Sequence, residues 1–316
     1  MQKRTWQENG ARESSKPRRR SPAHSERGVN ARPPRPRSVG SAATRLLCFW
    51  GSMKKDAEHG HRIVSLAPSA TAILCAIGAN KTLVGVTKWC ADVAPVGALP
   101  KLGDCWHMGS LDEILRLKPT LVIGSVPYKQ ETVGKLLEQP LNFLAMNPRT
   151  LADVYADIRL LGGIVGRAKA AEALAGKLQR EFAEIESQPK KPESRSRVYC
   201  EAWPNPRISS PPWVAELVRL CGGEMVVPAG ERVDEKLVAE AMPDVIVLAW
   251  AAAGDRADPK KAYAVRAWQE VPAIQNRRVH VISDELLNTP GPPLIKGAKE
   301  LWKVLNDKRA ASASGG

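Results

Sequence analysis

Short runs of β-branched and aliphatic residues alternate with longer amphipathic runs from residue 62 onward. The runs RIVSLAP, TLVGVTKWC, TLVIGS and LNFLAMN are typical of buried strands. Between them, the segments SATAILCAIGA, SLDEILRLKP and KQETVGKLLEQ predict helices. Strands that alternate with helices at this short spacing predict a parallel α/β sheet.

Residue types at the ends of these helices predict where they start and stop. Ser69 is expected to cap the first helix and Gly78 to end it. Ser110 and Glu113 have the spacing of a capping box, and Pro119 lies just beyond the end of that helix.

The pattern changes between residues 150 and 188, where two helical stretches follow each other without a strand. The second, RAKAAEALAGKLQREFAEIESQ, is rich in good helix formers. After the break PKKPESRS, the strand-like runs RVYCEAW, DVIVLAW and RVHVIS alternate with helical segments, including one around AVRAWQEVPAI and a final one at PPLIKGAKELWKVLND.

The chain is therefore predicted to form two α/β lobes with mainly parallel sheets, joined by one long rigid helix. The expected divisions are a disordered basic tail (1–61), a first lobe (62–166), the linking helix (167–188) and a second lobe (189–316). Ligands of such sheets bind beyond the carboxyl ends of the strands. The loops that should line a cleft follow Val86, Ile123, Cys200 and Leu248.

Tryptophan is concentrated in these loops, although the chain has only three phenylalanines. Four of the nine tryptophans fall where the cleft is predicted, namely Trp89, Trp106, Trp203 and Trp250. Any one of them could instead be partly buried against a neighbouring helix. Four in one cleft favour a flat, hydrophobic ligand with polar edges.

The net charge of +14 lies mostly in the tail, because residues 1–61 hold 14 Lys and Arg against 5 Asp and Glu. Such a tail could bind nucleic acid or anionic lipid, could bind nothing, or could reflect a start codon placed upstream of a true start at Met53. Nucleic acid is not the expected partner of the lobes.

The sequence shows no secretory signal and no stretch of transmembrane length. It therefore predicts a soluble, monomeric, cytoplasmic protein; a periplasmic location would follow from a different start or non-standard export. The six cysteines form no CxxC pair and are expected to be reduced.

The stretch GDCWHMG brings Cys105, Trp106, His107 and Met108 together. A zinc site would need a fourth ligand besides Cys90, Cys105 and His107. A Cys–His nucleophile would require Cys105 and His107 to meet. The preferred interpretation is that Trp106 forms a pocket wall with His107 at its edge; His107 as an axial cobalt ligand is the minor alternative.

Several segments in order resemble the cobalamin-binding proteins of ABC importers, within the periplasmic iron-siderophore and cobalamin binding family. They include RIVSLAPSATAILCAIGA, LVGVTKWCADVAP, SLDEILRLKPTLVIG, WVAELVRLCGGE and RVHVISDELLNTPGPPL, and together span residues 62 to about 306. The resemblance implies two α/β lobes joined by a long helix and reversible binding of a corrinoid such as cobalamin, without catalysis.

The resemblance also implies roles for particular residues. Trp89 and Trp106 match aromatic residues of the family's pocket, and Trp203 lies in the loop where the second lobe meets the ligand. Asp284 and Asn288 lie in a segment that hydrogen-bonds the corrinoid's edge. Acidic residues on each lobe would dock to ABC transporter membrane subunits; these are Asp112 on the first lobe and Glu216 or Glu224 on the second.

Two departures from the family concern the redox environment. No export signal is present, and Cys221 faces Trp302 or a neighbour where known members have a cysteine. Two rival functions are haem or ferric-siderophore binding by the same fold, for which Tyr128 and Arg207 are candidates, and nucleic-acid binding through the tail. No P-loop, HExxH or GxSxG motif indicates catalysis.

Overall fold

The computed structural model describes residues 60–190, 195–253 and 256–306. The predicted disorder of the tail, Cys48 and the alternative start Met53 lie outside these residues. The division into a first lobe, linking helix and second lobe is described below through its strands and helices.

The first sheet has five parallel strands in the order β3-β2-β1-β4-β5. These strands are β1 (Ile63–Ser65), β2 (Leu83–Thr87), β3 (Lys101–Leu102), β4 (Leu121–Ser125) and β5 (Phe143–Met146). The helices that connect them are α1 (Pro68–Ala76), α2 (Leu111–Arg116) and α3 (Gln130–Leu137), with 3₁₀ turns at Asn80–Thr82 and Lys88–Asp92. All four apolar runs of the first lobe thus form strands, as the sequence predicts.

The second sheet is parallel except at one edge. Its order is β10-β9-β6-β7, with β8 pairing with β6, and the β6–β7 pair is antiparallel. The strands are β6 (Ser196–Pro204), β7 (Arg207–Ser209), β8 (Gly223–Met225), β9 (Val245–Leu248) and β10 (Val279–Val281).

The remaining helices surround this second sheet or precede it. They are α4 (Leu151–Ile164), α5 (Ala168–Ser187), α6 (Pro212–Leu220), α7 (Glu235–Glu240), α8 (Lys260–Tyr263), α9 (Pro272–Gln275), α10 (Asp284–Leu287) and α11 (Leu294–Asn306). The expected helix around AVRAWQEVPAI is wrong as a single element. Pro272 separates a 3₁₀ turn at Arg266–Trp268 from the short helix α9, because proline supplies no N–H for a helix that would continue through it.

Helix α5 joins the two lobes through one apolar face. Its buried residues recur at helical spacing and are Ala171, Ala175, Leu178, Phe182 and Ile185. They belong to a single apolar cluster that contains Ile63 and Val86 of the first sheet and Val198 and Val245 of the second. The sheets therefore share one core through this helix, which packs on α4, α6 and α11.

The predicted caps of the first two helices are wrong in detail. Helix α1 begins at Pro68 after Ala67, so Ser69 lies inside the helix; proline is well suited to a first helical position because its missing N–H would have no partner there. Ser110 precedes α2, but its side chain accepts no capping hydrogen bond. Gly78 does follow the end of α1, with a φ of 72°, which favours glycine.

A capping box that was not predicted starts α4. The Thr150 side chain accepts a hydrogen bond from the backbone N–H of Asp153 at 3.1 Å, and Asp153 Oδ2 accepts one from the Thr150 N–H at 2.9 Å. No helix among the described residues combines the length and apolarity needed to cross a bilayer.

Two glycines test how α4 and α5 pack. A Cβ at Gly176 would approach only the flexible end of Arg180, at 3.3 Å, whereas a Cβ at Gly162 would lie 2.2 Å from the Cβ of Ala171. Gly176→Ala should raise the free energy of unfolding by about 0.5–1 kcal/mol, because alanine loses less backbone entropy in a helix. Gly162→Ala should lower it, since α4 and α5 would have to move apart. Urea denaturation of both variants measures the difference; equal effects would contradict the packing described.

Candidate functional site

Two tryptophans are exposed in loops or strand ends at the carboxyl side of the sheets. Trp106 follows β3 and is 48% exposed, and Trp203 lies near the end of β6 and is 41% exposed. They are the only aromatic side chains among the exposed large hydrophobic residues of the described chain. Each lobe thus presents one exposed indole, which combines a large apolar face with a polar N–H and is a candidate contact for a ligand.

The loop that carries Trp106 is held by Asp104. Asp104 Oδ1 accepts hydrogen bonds from the backbone N–H of Trp106 at 2.9 Å and of His107 at 2.6 Å. The Asp104 N–H donates to the His107 carbonyl at 3.1 Å. This turn buries Cys105 and leaves Trp106 and His107 exposed, with ring centroids 6.4 Å apart.

Trp89 lies in the 3₁₀ turn Lys88–Asp92 and is half-buried. The Lys88 ammonium is 4.4 Å from the centroid of its ring, a cation–π distance. The next residue, Cys90, is fully buried and its Sγ accepts a hydrogen bond from Thr71 at 3.1 Å. Thr87 and Cys90 are also within hydrogen-bond distance, at 3.2 Å. These contacts fix the turn that presents Trp89.

Trp250 is not an exposed wall of the cleft, and its prediction as one is wrong. Its ring is only 6% exposed and belongs to the apolar core of the second lobe. Its indole N–H donates to Glu201 Oε1 at 2.8 Å. This hydrogen bond satisfies the indole N–H inside the core.

Asp284 and Asn288 lie at the ends of the short helix α10, after β10. Asp284 Oδ2 accepts a hydrogen bond from the Ala252 N–H at 3.3 Å. The Asn288 carboxamide donates to the Ala249 carbonyl at 2.7 Å. Both side chains are partly buried and tie this segment to the loop after β9, so any direct contact with a ligand stays a prediction.

The three acidic residues predicted to dock a partner differ in exposure. Asp112, in the first turn of α2, and Glu224, on β8, are exposed. Glu216 is partly buried, and its Oε2 accepts a hydrogen bond from the backbone N–H of Leu151 at 3.2 Å. Glu216 therefore caps α4 from α6, a role that disfavours it as a docking residue.

Cys90, Cys105 and His107 do not form a zinc site in the described residues, where no group of three or more His, Cys, Asp or Glu side chains could hold a metal ion. Cys90 packs with the shared core and Cys105 with a separate cluster of the first lobe. Burial raises the pKa of the Cys105 thiol to about 12, with a contribution from Asp104. A thiol with so high a pKa is a poor metal ligand and a poor nucleophile.

Cys221 is a free thiol, as are the other four cysteines of the described residues. Its Sγ donates to the carbonyl of Ala298 at 3.3 Å, one turn before Trp302. Both Ala298 and Trp302 belong to or pack against the core cluster that contains Cys221, and no cysteine of the described residues pairs with it.

A groove of about 470 Å³ lies where helix α1 meets the segment around α10 and α11. Its charged lining residues are Asp92, Glu285 and Lys296. None of the residues predicted to bind the ligand lines it, although Asp92 and Glu285 are in the same short elements as Trp89 and Asp284.

A family model described as periplasmic binding protein matches residues 63–286. The chain belongs to the periplasmic binding protein family. Family membership agrees with the prediction of a two-lobed protein that binds a ligand.

Two curated relatives extend over most of the chain. A vitamin B12-binding protein of Pectobacterium atrosepticum is 25% identical over 290 residues, covering 85% of this chain and 98% of the relative. An uncharacterized ABC transporter substrate-binding lipoprotein, YvrC of Bacillus subtilis, is 27% identical over 266 residues, covering 79% and 80%.

Solved structures show the same fold in other periplasmic binding proteins. The periplasmic vitamin B12 binding protein BtuF of Vibrio cholerae has a TM-score of 0.64 at 23% identity, covering 80% of this chain and 98% of that one. The periplasmic heme-binding protein RhuT of Roseiflexus sp. RS-1 also has a TM-score of 0.64, at 22% identity, covering 78% and 100%. Equal scores for the two proteins mean that the fold alone does not select the ligand.

One buried feature of this periplasmic binding protein is missed by the sequence analysis. Glu201 interrupts the apolar run RVYCEAW, and its carboxylate is fully buried on β6. A charged residue in the middle of an otherwise apolar strand is the signal that could have pointed to it.

The buried thiols give a prediction about reactivity. Burial raises the pKa of Cys200 and of Cys221 to about 12, as for Cys105, and the pKa of Cys90 is also raised. These four should react slowly with iodoacetamide in the native protein at pH 8, because little thiolate is present. All six cysteines of the chain should react after denaturation. Mass spectrometry of the labelled peptides reports each site, and rapid native labelling of Cys90 or Cys105 would contradict the burial described.

Proposed function

We propose that this protein holds a corrinoid such as cobalamin between its two lobes, as the substrate-binding protein of an ABC-type uptake system or a relative of one. The observation that carries the proposal is the exposure of Trp106 on the first lobe and Trp203 on the second. The names of the curated relatives support the ligand class, because several are vitamin B12-binding proteins.

A corrinoid suits these side chains chemically. Its macrocycle is broad and apolar on both faces, so indole rings can pack against it and remove a large apolar area from water. Its edge carries amide groups, for which polar residues at the carboxyl ends of strands are suitable partners. His107, exposed beside Trp106, is in place for an edge contact or an axial contact to cobalt.

Haem binding by the same fold is less favoured because its two candidate residues are already engaged. The Tyr128 hydroxyl donates to the Met146 carbonyl at 2.8 Å. Burial raises the pKa of Tyr128, and Cys105 contributes, which opposes the phenolate form that would bind ferric iron. Arg207 is paired with Glu201 and Glu235, so neither side chain is free to hold a haem.

A transporter partner would be met by acidic side chains on the outside of each lobe. Asp112 and Glu224 are exposed and can form ion pairs with basic residues of a membrane subunit. Of the two candidates on the second lobe, Glu224 is the better one, because Glu216 caps α4.

Removing single tryptophans tests the proposed site. Trp89→Ala, Trp106→Ala and Trp203→Ala should each weaken binding of cyanocobalamin by about 1–3 kcal/mol, as expected when an aromatic anchor is truncated. Isothermal titration calorimetry measures the affinity. Trp302→Ala, on helix α11 and outside every segment predicted to contact the ligand, is the control; it removes a tryptophan that packs against the shared core and should leave affinity unchanged.

Circular dichroism and thermal unfolding of each variant establish that it is folded before it is titrated. Full affinity in both Trp106→Ala and Trp203→Ala would rule out a ligand site between these two side chains. Binding of cyanocobalamin by none of the proteins, the unmodified chain included, would rule out the corrinoid.

The cleft should be largely formed before ligand arrives. Helix α5 is continuous over 20 residues, and bending it would break i→i−4 hydrogen bonds. We expect small-angle scattering to show a change of less than about 1 Å in the radius of gyration on addition of cyanocobalamin, in contrast to a hinge closure between flexible linkers. A clear decrease would show that α5 is not a rigid spacer.

A further inference from the structure

The Glu201 carboxylate lies inside the second lobe with no exposed surface. It accepts three hydrogen bonds: from the Tyr199 hydroxyl at 2.6 Å, from Arg207 Nη1 at 2.9 Å and from Trp250 Nε1 at 2.8 Å. A buried charge is tolerated only when it is paired and hydrogen-bonded in this way. Three donors from different parts of the chain therefore have to stay in fixed positions around it.

Arg207 extends these contacts to a helix. Its Nη2 donates to Glu235 Oε1 at 3.1 Å, and its guanidinium carbon lies 4.5 Å from the ring centroid of Trp268. The Trp268 indole N–H donates to the Glu235 carbonyl at 2.9 Å. Only 15% of the Arg207 side chain is exposed. These residues, together with Tyr199 and Trp250, are called the Glu201 cluster below.

Glu201 and Arg207 lie on the two strands of the hairpin that carries Trp203. In the antiparallel β6–β7 pair, Glu201 is opposite Ser209, but Trp203 is opposite Ile208 and Pro204 is opposite Arg207. Two steps along β6 therefore match one step along β7, which is a β-bulge. A bulge re-aims the side chain beside it. Here Glu201 is fully buried and Trp203, two residues later, is 41% exposed.

The Trp203 ring is further tied to the turn of this hairpin. Its Nε1 donates to the Asn205 carbonyl at 2.9 Å. The direction of the indole therefore depends on the position of the turn, and the turn is held where Arg207 bridges back to Glu201.

We propose that Glu201 is a positioning residue of the ligand site, which fixes the bulged β6–β7 hairpin through Arg207 and thereby sets the direction of Trp203. This inference rests on the proposed function only in assigning Trp203 to the ligand; the control of the hairpin by Glu201 is independent of the ligand's identity. The carboxylate keeps Arg207 inside the lobe. Without this buried counter-charge, the guanidinium would have a lower free energy in water than inside the protein.

Glu201→Gln is the informative change, because it keeps the size of the side chain and alters only its charge and hydrogen-bonding pattern. A glutamine has one accepting and one donating end, so it cannot accept from Tyr199, Arg207 and Trp250 together. At least one donor is left unpaired. Tyr199 and Arg207 both donate to Oε2, and Trp250 donates to Oε1. Whichever way the amide is turned, Arg207 loses its buried negative counter-charge, and its partly exposed side chain can then move toward water.

The first measurement needs no ligand. Hydrogen–deuterium exchange of the intact protein should show about tenfold or greater acceleration in peptides covering residues 203–209 in Glu201→Gln, because the hairpin opens locally. Glu240→Gln, a change of an exposed residue on α7, is the matched control and should exchange like the unmodified protein. Unchanged exchange in the hairpin, or acceleration spread evenly over the second lobe, would overturn the proposal in favour of a purely stabilising role.

The second measurement is a double-mutant cycle with cyanocobalamin as the probe. Glu201→Gln should weaken binding several-fold in the unmodified background and have no further effect in Trp203→Ala, since its action passes through that ring. If the loss of affinity in the double variant equals the product of the two single losses, the two residues act independently and the proposal is overturned. If the unmodified chain does not bind the probe, the proposed function fails while the exchange experiment still decides the role of Glu201.

A third variant covers the case in which Glu201→Gln does not fold. Arg207→Lys keeps the positive charge but removes the planar fork that contacts both carboxylates. It should give the same local acceleration over residues 203–209 and the same dependence on Trp203. Normal exchange in Arg207→Lys would contradict the bridge as the link between Glu201 and the hairpin.

Discussion

Burial of one face of helix α5 is the interaction on which the arrangement of the two lobes depends. Ala171, Ala175, Leu178, Phe182 and Ile185 lie along that face and belong to a core that includes strands of both sheets. Separating the lobes would expose this apolar area to water, and the free-energy cost of that exposure opposes large changes in their relative position. The Lys299–Glu181 ion pair, at 2.6 Å between α11 and α5, adds little by comparison because its lysine is half-exposed and water screens the interaction.

Because helix α5 holds the two lobes together, the proposed ligand contacts depend on the loops beyond the strands. Asp104 holds the turn under Trp106, the Thr71–Cys90 contact holds the turn under Trp89, and the Glu201 cluster holds the hairpin under Trp203. In each case an exposed or half-buried indole is supported by a polar contact beneath it. Such preorganisation reduces the entropy lost when a ligand binds.

The sequence predicts the fold well because its strongest signals are long or repeated. The apolar runs become parallel strands, and the stretch rich in Ala, Leu, Glu and Lys becomes the single helix Ala168–Ser187. Short elements are harder to predict. Strand β7 has only three residues and forms through its hairpin pairing with β6, which the hydrophobic pattern does not predict. The predicted cap of α1 is wrong for a local reason. The helix starts one residue before Ser69, because Pro68 is suited to the first helical position.

The site is predicted less completely than the fold. Trp106 and Trp203 are exposed where the sequence places a cleft, but Trp250 turns inward to the buried Glu201. The Glu216 side chain is likewise directed inward, because its carboxylate accepts a hydrogen bond from the Leu151 N–H at the start of α4. In both cases a tertiary hydrogen bond decides the direction of the side chain, and its partner lies 49 or 65 residues away. Neither spacing nor residue type contains that information.

The most direct test of the account is a competition between two flat macrocycles. The purified, unmodified chain would be titrated with cyanocobalamin and with haemin under the same conditions, and each bound ligand followed by its visible absorbance after equilibrium dialysis. We expect one cyanocobalamin to bind per chain and excess haemin not to displace it, because Tyr128 and Arg207 are already engaged within the protein. Saturable binding of haemin that cyanocobalamin fails to displace would contradict it.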